Sequence, residues 1–350
     1  MTTGSAELPV AATAHRPLAK KRGRPGDAVF HGLLLTALGI ALAALAWLFI
    51  SILSNGLGNL SWDFITSRPS SNPARAGFIS ALKGTLVLMF YTVLVAIPVG
   101  FAAALYLEKF ASRTRDDLEA KLRRRERRIA ERRAAGAGGP GMAFAQVRLA
   151  WSRVWVRVGP PVNHVLDVNI SNLAAVPSII YGLLGLALFV AIMGFSKSLL
   201  AGGLTLGVLV LPIIIISARE AVRAVPVSIE QGAMALGATR LQAVMRQVFP
   251  AALPGMLTGS ILALSRAIGE TAPLIVVGGV TYATREPSLN PLEADAQPLF
   301  AMPLQIYSWA DRPQQAFLDL AATGIIVLIA SLIVMNLLAI WLRNRYTRRW

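Results

Sequence analysis

Residues Ser265 to Gly279 read "SRAIGETAPLIVVGG". Arg266 and Glu270 stand four residues apart in a segment otherwise built mostly of Ala, Ile, Leu, Val, Gly and Pro. Two full charges in such a segment mean different things in water and in lipid, so the rest of the chain decides the reading. The segment lies in one of six apolar runs, each near the roughly 20 residues that carry a helix across a bilayer. The runs are Ala28–Leu53, Gly84–Leu107, Asn172–Met193, Leu199–Ser217, Met256–Val280 and Leu320–Leu342. Only Met256–Val280 contains Asp, Glu, Lys or Arg. Of the 350 residues 55% are hydrophobic and 15% charged, whereas soluble domains carry about 25% charged residues. The chain reads as an all-α integral membrane protein with six transmembrane helices.

The net charge of +16 raises nucleic-acid binding as an alternative. Its distribution argues for orientation in a membrane. With the N-terminus placed in the cytoplasm and the spans alternating, 27 Lys and Arg fall inside and 6 outside, and Arg266 remains within the membrane. Positive charge is held on the cytoplasmic side, so both termini are expected there. The domain plan is a basic tail to residue 27, a six-helix transmembrane body over 28–342 and a second basic tail over 343–350. A cytoplasmic insertion occupies 108–165. The first run exceeds the roughly 7–15 apolar residues of a cleaved signal and is expected to persist as the first helix. The chain contains no cysteine, which removes disulfides and thiolate metal sites.

Within the insertion, Ser112–Gly141 reads "SRTRDDLEAKLRRRERRIAERRAAGAGGPG". Leu118, Leu122 and Ile129 share one helical stripe, with charge on the other faces and a Gly/Pro breaker at the end. A solvated charged helix is the plain reading; anionic membrane lipid or a cytoplasmic partner is the alternative. Outside, "PLFAMPLQIYSWADRPQ" places Tyr307 and Trp309 near an expected interface, where aromatic belts account for such residues. The three histidines, His15, His31 and His164, are scattered. No lysine follows a glycine, as a nucleotide-binding P-loop requires. If ATP drives this protein, another chain hydrolyses it.

Between the fourth and fifth runs lies Arg219–Gly255, "REAVRAVPVSIEQGAMALGATRLQAVMRQVFPAALPG". Ala233, Leu236, Leu241, Val244 and Val248 form an apolar set interrupted at Gly237. Two short helices joined at that glycine are expected, seated on a partner or on the lipid surface. The segment resembles the cytoplasmic loop of ABC-importer permeases, whose motif is E-A-A, three residues, Gly, nine residues and I-x-L-P. Gln231, Gly232 and Ala233 hold the E-A-A positions, with Glu230 one place earlier. Gly237 holds the glycine, and Gln247, Val248, Phe249 and Pro250 hold the end.

"NISNLAAVPSIIYGLLGLALFV" (Asn169–Val190), "LSRAIGETAPL" (Leu264–Leu274) and "MPLQIYSWADRP" (Met302–Pro313) resemble the PstA-type permeases of bacterial phosphate ABC importers. The resemblance spans most of Trp62–Trp350, apart from an insertion longer than the family's usual loop. It implies a type I ABC importer permease fold in the bacterial cytoplasmic (inner) membrane, working on inorganic phosphate. It implies a PstC-type sister permease, a dimer of PstB-type ATPases carrying the ATP and Mg, and a periplasmic PstS-type binding protein. This chain would hold no cofactor and no nucleic acid. Its coupling loop, over about 219–255, would seat Gln231, Gly232, Ala233, Gly237 and Pro250 against the ATPase.

Arg266 and Glu270 lie on one helical face. A charge at the centre of a membrane helix costs about 2.5–3.5 kcal/mol on insertion scales, so the pair is expected to face protein or water. The planar guanidinium suits an oxyanion, and Glu270 can compete for it when the anion leaves. Lining or gating the substrate pathway is one role; an ion pair bracing two spans is the other. Asn169, Ser171, Asn172 and Ser178, around Pro177, read as packing and kink residues.

Overall fold

The computed structural model describes residues 25–111, 115–135, 140–279, 287–288, 290, 293 and 297–346. Both basic tails beyond these limits, most of the "GAGGPG" breaker and Arg285 lie outside the described residues. Among the described residues the chain is helical, with one isolated two-residue bridge, Ser198 to Pro298, in place of a sheet. It divides into two units, residues 1–51 and 52–350. The first contains most of helix α1 (Pro25–Gly56), which is exposed along residues 29–50.

The second unit holds short α2 (Trp62–Thr66) and long α3 (Ile79–Leu105), which is prolonged by a π-helical turn over Tyr106–Ala111. Helices α4 (Arg115–Ala134) and α5 (Pro140–Leu173) form the insertion. Then come α6 (Ser178–Gly185), continued as a π-helix over Leu186–Ile192, and α7 (Leu199–Arg223). Helices α8 (Val227–Ala235), α9 (Arg240–Ala243), α10 (Phe249–Gly269) and α11 (Ala272–Val277) follow. The chain closes with α12 (Met302–Ala310) and α13 (Gln315–Tyr346).

Among the described residues, five helical runs are long and apolar enough to cross a membrane: Val29–Asn59, Ile79–Ala111, Leu199–Arg223, Arg240–Gly269 and Gln315–Arg345. The third expected span is shorter than the sequence suggests. Pro177 lacks the N–H that a helix interior needs, so the chain turns over Ala174–Val176 and restarts as the shorter apolar helix Ser178–Ile192. Tyr181 donates its hydroxyl to the carbonyl of Leu173 at 2.7 Å, satisfying an acceptor at the end of α5. The fifth expected span breaks as well. Helix α10 stops at Gly269, Glu270 adopts extended backbone, and α11 begins at Ala272.

Helices α3, α7 and α10 form the centre of the packing, and the sequence permits their close approach. Lipid tails are as apolar as leucine, so small residues and polar contacts must hold membrane helices together. Gly203 and Gly207, one turn apart on α7, face Leu88 and Thr92 of α3; Thr92 donates to the carbonyl of Gly203 at 3.1 Å. Gly255 and Gly259 repeat the spacing on α10, where an added Cβ at Gly255 would meet Ala221 at 2.8 Å. Near the N-terminal end of α3, Thr85 accepts from the N–H of Met302 at 2.9 Å. There a Cβ at Gly84 would run into the carbonyl oxygen of Phe300. Gly84→Val should therefore lower the melting temperature of the purified protein, since overpacking costs about 1–3 kcal/mol. Gly58→Ala is the matched control, because nothing lies within 4 Å of its Cβ position. Equal melting of the two variants would contradict this packing.

Trp309 departs from the aromatic-belt expectation. It is 1% exposed and packs on Phe64 and Phe78, with ring centroids 5.9 and 5.7 Å away. Tyr307 alone of the two is exposed, at 49%. The insertion is an antiparallel pair. Ile129 of α4 and Ala145 and Leu149 of α5 line one concavity, and Arg153 forks onto Glu126 at 2.8 and 3.0 Å. These charges are exposed, and exposed pairs contribute only about 0–1 kcal/mol.

Candidate functional site

Arg266 and Glu270 meet as their spacing predicts, although Glu270 has left the regular helix. Arg266 Nε donates to Glu270 Oε1 at 3.1 Å. The arginine side chain is 54% exposed and the glutamate 17%. Thr258, Leu262, Arg266 and Gly269 follow each other at three- and four-residue steps and are all exposed, so they form one open face of α10. The neighbouring Ser265 points elsewhere, donating to Asn336 Oδ1 of α13 at 2.7 Å. A guanidinium on an otherwise apolar membrane helix needs water or protein over that face, because lipid contact is costly. The break after Gly269 places the carboxylate between α10 and α11.

The second candidate element is the loop that α8 and α9 build. Helix α8 ends in a glycine cap. The N–H of Gly237 reaches the carbonyl of Met234 at 3.0 Å and that of Ala238 reaches Ala233 at 3.1 Å. This geometry needs a left-handed residue, and Gly237 has φ +90. Thr239 then opens α9 with a capping box. It receives the N–H of Gln242 at 3.3 Å, and Gln242 Oε1 receives the N–H of Thr239 at 2.8 Å. From Arg240 onward the helical run continues through a π-helical turn, Val244–Val248, into α10. The second half of the loop is thus the start of the fifth span, and Pro250 follows directly on the π-helical turn that leads into α10.

The apolar set read from sequence divides. Val244 and Val248 are fully buried against the bundle, whereas Leu236 is 92% and Leu241 60% exposed. Gln231 and Gly232 are exposed and Ala233 is half-buried. Ala233, Leu236, Ala238, Gln242, Ala243, Arg246 and Gln247 line a concavity of ≈ 250 Å³ between the two short helices. Sequence reasoning placed Glu230 one position before the motif but missed its burial, 6% exposed, and it missed the capping box, which the T-R-L-Q spacing announces.

Residues 147–350 match the family described as binding-protein-dependent transport system inner membrane component. The chain is 28% identical over 330 residues to the probable ABC transporter permease protein YqgI of Bacillus subtilis, covering 90% of this chain and 94% of that protein. It is 28% identical over 356 residues to phosphate transport system permease protein PstA 1 of Mycobacterium tuberculosis, covering 100% and 97%. In backbone it is similar to a chain of the MetNI methionine ABC transporter in an inward-facing conformation, with a TM-score of 0.46 at 17% identity, over 78% of this chain and 95% of that one.

Proposed function

The chain belongs to the family of binding-protein-dependent transport system inner membrane components, and on that premise we propose that it is the PstA-type permease subunit of an ATP-driven importer of inorganic phosphate. The observation that carries the substrate is its similarity, along the whole chain, to a phosphate transport system permease. The subunit sits in the bacterial cytoplasmic membrane with both termini inside and forms half of the translocation route. A PstC-type permease supplies the other half, a PstB-type ATPase dimer the energy, and a PstS-type protein the phosphate. ATP and Mg belong to the ATPase; this chain acts as a permease and not as an enzyme.

The loop of α8 and α9 is the coupling element in this reading. Leu236 and Leu241 offer apolar contacts that need a partner, and Gln231, Gly232 and Ala233 lie on the same element beside Gly237. Because α9 runs unbroken into α10, displacement of the loop is carried along the helix that bears Arg266. The guanidinium binds the oxyanion, and Glu270 takes it back when the anion departs.

Reconstituted with the ATPase, the sister permease and the binding protein, the complex should hydrolyse ATP faster when the binding protein carries phosphate. Stimulation by a sulfate-binding protein with sulfate, and not by phosphate, would reassign the substrate. The α4–α5 insertion makes no contribution to this cycle. Replacing residues 112–160 by a flexible linker should leave most phosphate uptake intact, measured in cells against the amount of inserted protein. Loss of uptake from fully inserted protein would contradict that.

A further inference from the structure

We propose that Glu230 is a positioning residue that clamps the coupling loop to the inner end of α3, so that loop movement is delivered to the α3–α7 pair. The inference rests on reading α8 and α9 as the coupling element.

The carboxylate of Glu230 is engaged from two sides. Lys109 Nζ lies 3.1 Å from Oε2, and Arg240 Nε lies 3.2 Å from Oε1. Glu230 belongs to α8, Arg240 is the first residue of α9, and Lys109 belongs to the π-helical turn that ends α3. One side chain therefore joins three elements. The guanidinium of Arg240 also lies over the ring of Phe110, 5.7 Å from its centroid.

This contact is buried, unlike the exposed pairs Arg153–Glu126 and Arg223–Glu220. The side chains of Glu230 and Lys109 are only 9% and 11% exposed. Withdrawing ions from water is costly unless each is paired, and removing one partner leaves the other uncompensated. A loop merely resting on the bundle would need no such contact, since its charges could remain in solvent. The preceding residue, Glu108, makes a parallel connection. Its Oε2 lies 3.1 Å from Arg223 and 3.6 Å from Arg219, both near the end of α7. Residues 108 and 109 thus tie the end of α3 to α7 on one side and to the loop on the other. A one-residue step along a helix turns a side chain by about 100°. That step separates exposed Gln231, which holds the motif position, from buried Glu230, which faces the bundle.

The test uses the complete reconstituted importer and measures three quantities in each preparation: ATPase retained on purification, ATP hydrolysed and phosphate accumulated. The chain has no native cysteine, so thiols introduced here are unique in this subunit. Three variants are compared: Glu230→Gln, the neutral double Lys109→Met with Glu230→Gln, and the pair Lys109→Cys with Glu230→Cys. The double guards against misfolding caused by an unpaired Lys109. Expected is retained ATPase, continued hydrolysis and a fall of about fivefold or more in phosphate moved per ATP, the lower end of typical coupling between sites. Bridging the cysteine pair with a bifunctional thiol reagent of the native side chains' combined length should restore the ratio, while the unbridged pair stays low. A neutral double with the wild-type ratio would overturn the clamp, because the charges would then be structural only. Loss of bound ATPase from the double would overturn it too, by making Glu230 a docking residue. A wild-type complex that accumulates no phosphate with ATP would instead sink the underlying coupling reading and the clamp with it.

Discussion

Arg266→Ala is expected to reduce phosphate uptake by about one to two orders of magnitude, the ~1.5–3 kcal/mol of a charge-assisted hydrogen bond, while the complex still assembles. The side chain is more than half exposed, and its polar contact among the described residues is to Glu270, so its removal costs α10 little packing. Arg266→Lys should recover little, because an ammonium cannot present two parallel donors to two oxygens. Glu270→Gln keeps shape and loses only the competing charge, so it should impair uptake less than Arg266→Ala. If the pair braces the scaffold instead, each single change leaves a charge unpaired, and Arg266→Gln combined with Glu270→Gln should restore both assembly and uptake. Uptake and assembled protein measured for the singles and the double separate the two roles: transport rescued by the double would remove the pair from the anion's route.

Gly237→Val is expected to uncouple the permease from its ATPase. The residue sits at φ +90 with nothing within 4 Å of its Cβ position, so the penalty is one of backbone and not of crowding. A non-glycine residue held there costs about 1–3 kcal/mol, and a β-branched one is the least able to adopt it. The strain would be relieved by loss of the cap between α8 and α9, and with it the geometry of the surface that Leu236 and Leu241 present. Gly237→Asn, which tolerates left-handed backbone, should retain most function. Copurification of the ATPase and uptake are the readouts, with the melting of the membrane helices as control. Normal assembly and transport by Gly237→Val would show that this loop is not the coupling element.

Local features of the sequence were legible and distant contacts were not. The apolar runs declared the spans because bilayer thickness sets their length, and Gly237 declared the break in the loop because a glycine cap is a local device. The interruption after Gly269 was hidden in the otherwise apolar run Met256–Val280, although Gly269 and Pro273 flank it. Pro177 was visible as a kink residue, but not the shortening of the third span that its turn imposes. Trp309 looked interfacial from its neighbours in sequence. Its burial depends on Phe64 and Phe78, more than 200 residues earlier. Arg266 and Glu270 could be paired from their spacing, whereas Glu230 and Lys109 meet only because the ends of separate helices converge.

The most direct measurement of the central claim is phosphate accumulation in sealed vesicles holding the whole complex, with ATP supplied on the ATPase side and the binding protein on the other. Accumulation against the gradient that requires ATP and persists in the presence of a proton uncoupler is expected. Accumulation without ATP that collapses on adding the uncoupler would contradict it, and would make this chain a proton-driven carrier.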